Sequence, residues 1–502
     1  MYSHSTKEEF PSNASHHEEF NEKDFASPTL EFYGGKLSAL LPIIIFLGFC
    51  ITFFVVLKAF DMSALSMAAL ISLMLTALLA KGKNRTQTYW NAVYNGVKES
   101  IPILVLLLAI GIFSQLIKLS NLSGGFVWLA DLVHVGPGLF TALTFGFVCI
   151  IATATGSSLG TMFTAFPIFY PAGVLLGADP AFLAAAIVGG GIFGDNLAPI
   201  SDTTIISTST QYYRDRQTTA DVGGAVRSRF KYSAIAGIAT FLIFAFFAGN
   251  SQTVQTNILS KTSANPQSLF MLIPVAIMLI VAVLTKDMYM AIVLGVLCGS
   301  VLGLSTGILH TTDILNVKDG TPGGFLIEGV NSMTSTVILV LCVYGIMGVL
   351  NAAGILSTLV DFLSRSRLGK SVIGTEIIMM LGITFTTLIF GGVTSAAMAT
   401  FGKIHNELGM RMNLHPYRRA NLLDGFANSI ALCIPFLSVF VFIGSQLTSG
   451  YDNIASVSVT NLGMHMIYPF LLFIVLLVSV VTGWGRRFEG ANGEPIKVVA
   501  QS

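Results

Sequence analysis

Gly194-Asp195-Asn196-Leu197-Ala198-Pro199-Ile200-Ser201-Asp202-Thr203-Thr204 carries two carboxylates, an amide, three hydroxyls and a proline. It follows directly on AFLAAAIVGGGIF (181–193), a run apolar enough to enter a bilayer. Proline has no N–H, and its ring crowds the carbonyl four residues earlier, here that of Asp195. A helix is therefore expected to break at Pro199 and to free that carbonyl beside the Asp195 and Asn196 side chains. At membrane depth, irregular backbone survives only where it lines a cavity or is buried in protein. The expected product is an interior site dense in oxygen donors, which hard cations such as Na⁺ prefer. A buried carboxylate without a partner costs several kcal/mol and tends to take up a proton instead. One site holding either H⁺ or Na⁺ is the minimum that exchange requires. The competing reading is a cytoplasmic loop, since Arg214-Asp215-Arg216 follows. The weakly apolar IISTST (205–210), and the gap between the acids and the arginines, weigh against it.

The surrounding chain supports burial. It has 502 residues, 53% hydrophobic and 11% charged, with a mean hydropathy of +0.75; a soluble domain carries about a quarter charged residues. This is the composition of an integral membrane protein. Apolar runs recur near 40–57, 63–80, 100–118, 138–155, 160–178, 181–209 and 231–249. A second set lies near 269–285, 288–305, 333–351, 373–390, 391–403, 420–446 and 464–483. A net charge of +1 gives no reason to expect a nucleic-acid partner. The five cysteines lie in apolar runs without metal-ligand spacing and read as packing residues. Residues 1–38 are polar with no cleavable signal, and read as a soluble acidic tail. His16-His17-Glu18-Glu19 is not HExxH, and neither GxSxG nor a phosphate-cradling loop occurs. No enzyme and no cofactor are expected.

The two sets of runs resemble each other. Gly96-Val97 and Gly111 are echoed by Gly329-Val330 and Gly345, and Asn121-Leu122-Ser123-Gly124 loosely by Gly354-Ile355-Leu356-Ser357. Gly156-Ser157-Ser158 corresponds to Gly391-Gly392-Val393-Thr394-Ser395, and Gly194-Asp195-Asn196-Leu197-Ala198 to Leu423-Asp424-Gly425-Phe426-Ala427. The matches keep their order at a displacement of about 230–235 residues, as an internal duplication would.

Basic residues favour the cytoplasmic side. They cluster at Lys81, Lys83, Arg85 and Lys98; at Arg214, Arg216, Arg227, Arg229 and Lys231; at Arg365, Arg367 and Lys370; at Lys403, Arg411, Arg418 and Arg419; and at Arg486, Arg487 and Lys497. Only Lys58, Lys118, Lys261 and Lys318 face the other way. Threading these loops puts both termini in the cytoplasm of a multi-pass cell (inner or plasma) membrane protein. Each half then crosses an odd number of times, with 138–178 and 373–403 as hairpin-like pairs, so the second copy is inverted. Inverted repeats are the architecture of secondary transporters, with the site at mid-membrane between the repeats. The expected fold is an all-α polytopic membrane protein of two inverted-topology repeats with broken helices and hairpin-like segments. Its parts are the tail 1–38, a first repeat 39–250, a second repeat 268–485 and a cytoplasmic tail 486–502.

Besides Asp195, Asn196, Ser201, Asp202 and Thr203, two further groups are candidates. Asp424 and Asn428, ahead of Pro435, are the counterpart in the second repeat, with a salt bridge to Arg418 or Arg419 as the alternative role for Asp424. The hydroxyl-rich tips, Thr155, Ser157 and Ser158 with Thr394 and Ser395, either present hydroxyls and backbone dipoles to a ligand or let helices pack closely. Glu99 and Glu376 open apolar runs and read as interfacial. No Lys or Arg is expected within the membrane.

Phe193-Gly194-Asp195 with Pro199-Ile200-Ser201-Asp202-Thr203-Thr204 resembles the motif of the NhaC family of sodium/proton antiporters, and the likeness covers roughly residues 40–485. Ala198 stands where the family usually has serine, and Leu423 to Asn428 match the family's second pattern only loosely. The resemblance implies Na⁺/H⁺ exchange, with Asp195, Ser201, Asp202 and Thr203 at the motif positions and Asp195 and Asp202 holding the transported Na⁺. Some members couple Na⁺ or H⁺ to organic anions such as malate and lactate, or to amino acids. A Na⁺- or H⁺-coupled carrier of such molecules is the alternative reading. The implied partners are the lipid bilayer, Na⁺ and H⁺, with a small organic anion and a homodimer left open.

Overall fold

The computed structural model describes residues 30–57, 62–215, 217–249, 265–285, 287–318, 320–355, 367–449, 451 and 454–497. Among these, the chain is helical nearly throughout, and ten helices are long and apolar enough to cross a membrane. It is a multi-pass membrane protein.

The helices of the first half are α1 (Leu41–Cys50), α2 (Met62–Ala77), α3 (Arg85–Leu119), α4 (Leu122–Val133), α5 (Pro137–Thr155), α6 (Ser158–Leu175), α7 (Pro180–Leu197), α8 (Asp202–Ser209) and α9 (Val222–Phe247). The second half has α10 (Leu272–Thr285), α11 (Met288–Thr306), α12 (Phe325–Ala352), α13 (Val372–Ile389), α14 (Thr394–Arg411), α15 (Pro416–Ala427), α16 (Val439–Leu447), α17 (Val459–Met464) and α18 (Ile467–Thr482). The run expected near 391–403 extends to Arg411, and that expected at 420–446 is divided between α15 and α16.

Local chemistry sets the joints. α5 ends at Gly156, left-handed at φ 68°, where a side chain would be strained. Ser157 then caps α6 by accepting the Gly160 N–H at 3.1 Å. In the second half, Gly391 (φ 59°) and Gly392 (φ 83°) make the same joint between α13 and α14. α7 starts on Pro180, capped by Asp179, and α15 starts on Pro416, capped by His415.

α6 and α7 form the centre. In both Ser158–Leu175 and Pro180–Ser209, 89% of the apolar window is buried, against 33% in α9 and 28% in α11, which therefore face outward. α3 and α12 cross at contact distance through glycines. A Cβ on Gly96 would meet the backbone of Tyr344 and Gly348, and one on Gly111 would meet that of Gly329. As α3 advances, its partner recedes, so these two helices run antiparallel.

The described parts of both ends make backbone contacts with the rest of the chain. Residues 1–29 lie outside the described residues, but Glu31–Phe32 pairs with Ala80–Lys81 as a short antiparallel ladder. Residues 486–497 are not a free tail. Phe488–Glu489 pairs with Pro495–Ile496, and the His415 N–H donates to the Arg487 carbonyl at 2.9 Å.

Candidate functional site

α7 ends at Leu197, and its last regular bond runs from the Ala198 N–H to the Gly194 carbonyl, 2.7 Å. Pro199 cannot donate the next one. Ser201 opens α8 as its N-cap, accepting the Thr203 N–H at 3.3 Å. The two freed carbonyls are each met by a side chain: the Thr203 hydroxyl donates to Asp195 O at 3.1 Å, and Arg229 Nη1 donates to Asn196 O at 2.7 Å.

Asp195 is 7% exposed. One carboxylate oxygen accepts from the Ser201 hydroxyl, the other from the Ser158 hydroxyl at 3.1 Å. Both hydroxyls stand at helix N-termini, α8 and α6, whose partial positive charge favours a carboxylate there. Asp202, in the first turn of α8, is exposed, and with Asp195 and Thr203 it lines a cavity of about 230 Å³. Ser157 and Ser158 from the first tip, and Thr394 and Ser395 from the second, line the same cavity. Seven of the twelve residues singled out from the sequence thus share one wall.

The others lie elsewhere. Thr155 turns away, its hydroxyl 3.1 Å from that of Thr161, because the left-handed Gly156 separates it from the tip. Ser201 stands behind Asp195 as its donor. Asn196, Asp424 and Asn428 form a separate buried network behind the break. Asn196 Nδ2 donates to Asp424 Oδ1 at 2.8 Å, Asn428 Nδ2 to the same oxygen at 2.9 Å, and the Ser207 hydroxyl to Asp424 Oδ2 at 3.0 Å. Arg229 Nη1 lies 2.6 Å from Asp424 Oδ2, both side chains fully buried.

This corrects three readings. Arg229, counted with a cytoplasmic loop, is inside the protein, so a buried cation does exist. Asp424 pairs with Arg229 rather than with Arg418 or Arg419, and it does not line the cavity. Glu376 is not interfacial: it is fully buried, 2.8 Å from Arg418 Nε and 2.7 Å from Arg486 Nη2. The Glu99 side chain falls outside the described residues. The sequence carried only a weak signal for Arg229: it stands in a 26-residue helix whose later turns are apolar, but Arg227 and Lys231 flank it there and disguise it as a loop cation. Tyr289 and Tyr344, which also line the cavity, had no such signal.

What the arrangement can do follows from its donors. A carboxylate flanked by hydroxyls, with a second carboxylate beside it, can coordinate a small hard cation or hold a proton in its place. Among the described residues no basic side chain lines the cavity.

Known proteins give this geometry a context. The chain is similar to the malate-2H(+)/Na(+)-lactate antiporter of Bacillus subtilis (strain 168), 23% identical over 498 residues, with 93% of this chain and 97% of that one covered. It is similar to the Na(+)/H(+) antiporter NhaC of Alkalihalophilus pseudofirmus, 22% identical over 457 residues, covering 88% and 93%. It is also similar to the arginine/ornithine antiporter ArcD of Halobacterium salinarum, 23% identical over 435 residues, covering 81% and 84%. A family model described as the Na+/H+ antiporter family matches residues 1–221 and 218–484. The chain belongs to the Na⁺/H⁺ antiporter family.

Proposed function

We propose that the protein exchanges Na⁺ for H⁺ by alternating access, with Asp195 as the group that holds the two in turn. The observation that carries this is the placement of Asp195 at a helix break, nearly buried, hydroxyl-bonded on both oxygens and open on one side to a cavity. With Na⁺ present, the Asp195 and Asp202 carboxylates and the hydroxyls of Ser158 and Ser201 supply ligands; with Na⁺ gone, Asp195 takes a proton rather than remain buried and unpaired. Binding is exclusive, so flux of one ion drives counterflux of the other.

Asp424 is neutralised by Arg229 and serves to hold the break in shape, not to bind the ion. The halves are inverted repeats with both termini cytoplasmic in the cell membrane. The antiparallel crossing of α3 with its sequence counterpart α12, and the bias of Lys and Arg among the loops, support this arrangement.

The test is dye-monitored proton flux in proteoliposomes challenged in turn with Na⁺, Li⁺ and K⁺. The reading requires flux with Na⁺; its absence under an imposed pH gradient would end it. The alternative, coupling of Na⁺ or H⁺ to an organic molecule, draws support from relatives named for malate, lactate, arginine and ornithine. It is also favoured by a cavity larger than an ion needs.

A further inference from the structure

Arg227, Arg229 and Lys231 stand two residues apart on α9 and point different ways, because a helix turns by about 100° per residue. Arg229 faces inward to Asp424, while Arg227 and Lys231, four residues apart, share the opposite, outward face. Arg227 is exposed and Lys231 half-buried, and among the described residues neither is paired with a carboxylate. Lys231 is nonetheless held in place. Its ammonium lies 4.8 Å from the centre of the Tyr232 ring and 5.5 Å from that of Trp484, just past the end of α18. Ring faces attract a cation without neutralising it, so the charge stays available.

A third positive charge collects beside these two. Glu376 is shared by two guanidiniums, Arg418 at 2.8 Å and Arg486 at 2.7 Å, which leaves the trio one positive charge in excess. Arg418 is fully buried, so the excess emerges at Arg486, whose side chain is 14% exposed. A Cβ on Gly485, the residue before it, would collide with Lys231 Nζ, so these cations belong to one patch. Glu489, three residues on, is occupied elsewhere: it accepts the Arg214 N–H at 2.9 Å and faces Arg419. The patch lies at the membrane boundary. Beyond it, Ile235 and Ile238 run along α9 and Val481 and Val478 along α18, all exposed on helices of membrane-crossing length. The exposed ring of Trp484 marks the interfacial level.

We propose that this seam between α9 and α18 binds an anionic phospholipid, its phosphate against Arg227, Lys231 and Arg486 and its acyl chains along Ile235, Ile238 and Val478. A phosphate offers the acceptor oxygens that these ammonium and guanidinium donors lack. A soluble anion uses the charges and leaves the apolar strips idle, and a zwitterionic lipid brings its own cation against the patch. An anionic lipid uses both parts of the surface. Once bound, it clamps α9 of the first half to α18 of the second, on the side of α9 away from the Arg229–Asp424 pair. The site is separate from the ion cavity and does not depend on what that cavity carries.

The test uses the full chain, purified in mild detergent, with lipid binding read by native mass spectrometry and the unfolding midpoint by tryptophan fluorescence. Phosphatidylglycerol is the probe. Phosphatidylcholine with the same chains removes the net charge, and glycerol phosphate removes the chains. Phosphatidylglycerol is expected to bind about tenfold or more tightly than phosphatidylcholine and to raise the midpoint. Excess glycerol phosphate is expected not to displace it. Arg227→Gln with Lys231→Gln removes two basic groups and should weaken phosphatidylglycerol binding roughly 25-fold. Lys81→Gln with Lys83→Gln removes the same charge from the exposed turn before α3 and should leave binding unchanged. The charge-preserving exchange, Arg227→Lys with Lys231→Arg, should retain it, and this variant decides the matter if the glutamine pair folds poorly. Equal binding of the two lipids, or displacement by glycerol phosphate, would overturn the proposal. So would equal losses in the Arg227/Lys231 and Lys81/Lys83 glutamine pairs, or loss of binding in the charge-preserving exchange.

Discussion

Replacing Arg229 with alanine would leave the Asp424 carboxylate buried without its counter-ion and Asn196 O without its donor. Removing one partner of a buried ion pair costs about 3–5 kcal/mol. Three neutral donors remain on Asp424, from Asn196 at 2.8 Å, Asn428 at 2.9 Å and Ser207 at 3.0 Å, and these pull the figure down. The orphaned Asn196 carbonyl pushes it back up by about 1–3 kcal/mol. The expected loss is therefore about 4 kcal/mol. Because the pair joins α9 to α15, the cost is a cost to the contact between halves. Removing both charges at once, as in Arg229→Met with Asp424→Leu, should recover at least about 2 kcal/mol relative to the sum of the single changes. Denaturant unfolding of purified protein in mild detergent, run as a double-variant cycle, measures this. Strict additivity, or a single Arg229→Ala change within about 0.5 kcal/mol of wild type, would refute the reasoning.

Glu376 is shared by Arg418 and Arg486, so Glu376→Gln strands a fully buried guanidinium and should cost about 3–5 kcal/mol. Arg486→Ala leaves the Arg418 pair intact and should cost clearly less in the same unfolding assay. His415 gives a pH dependence. Burial holds its imidazole down to about 4 from an ordinary 6.5, while Nδ1 accepts the Tyr417 N–H at 3.1 Å and Nε2 donates to Gly493 O at 3.0 Å. A folded value below the unfolded one means the contribution is complete above pH 6.5 and fades as pH falls toward 4. Protection factors for hydrogen exchange in residues 486–497, taken against the intrinsic rate at each pH, should fall across that window, and protection independent of pH would contradict the assignment.

Much of the site was legible because proline and glycine act locally. Pro199 dictates the break whatever surrounds it, Gly156 and Gly391-Gly392 dictate the two tips, and the polar residues beside them had to be gathered or exposed. What could not be read was pairing across the chain. Arg229 looks like one more loop cation until Asp424, far along the sequence, is folded against it. Glu376 looks interfacial until Arg418 and Arg486 arrive. Loop-charge counting scores such arginines as cytoplasmic because it sees charge and not partners. The packing of 486–497 was hidden for the same reason: its polar composition reads as solvated, yet its backbone completes that of Asn413 and His415.

Exchange at this site requires that Asp195 trade a proton for Na⁺. Adding Na⁺ to purified protein in weakly buffered solution, with K⁺ as the control, should release protons from the wild type. The Asp195→Asn variant, inserted and folded, should release none. Undiminished release from that variant, or none from the wild type at Na⁺ concentrations that support transport, would contradict it.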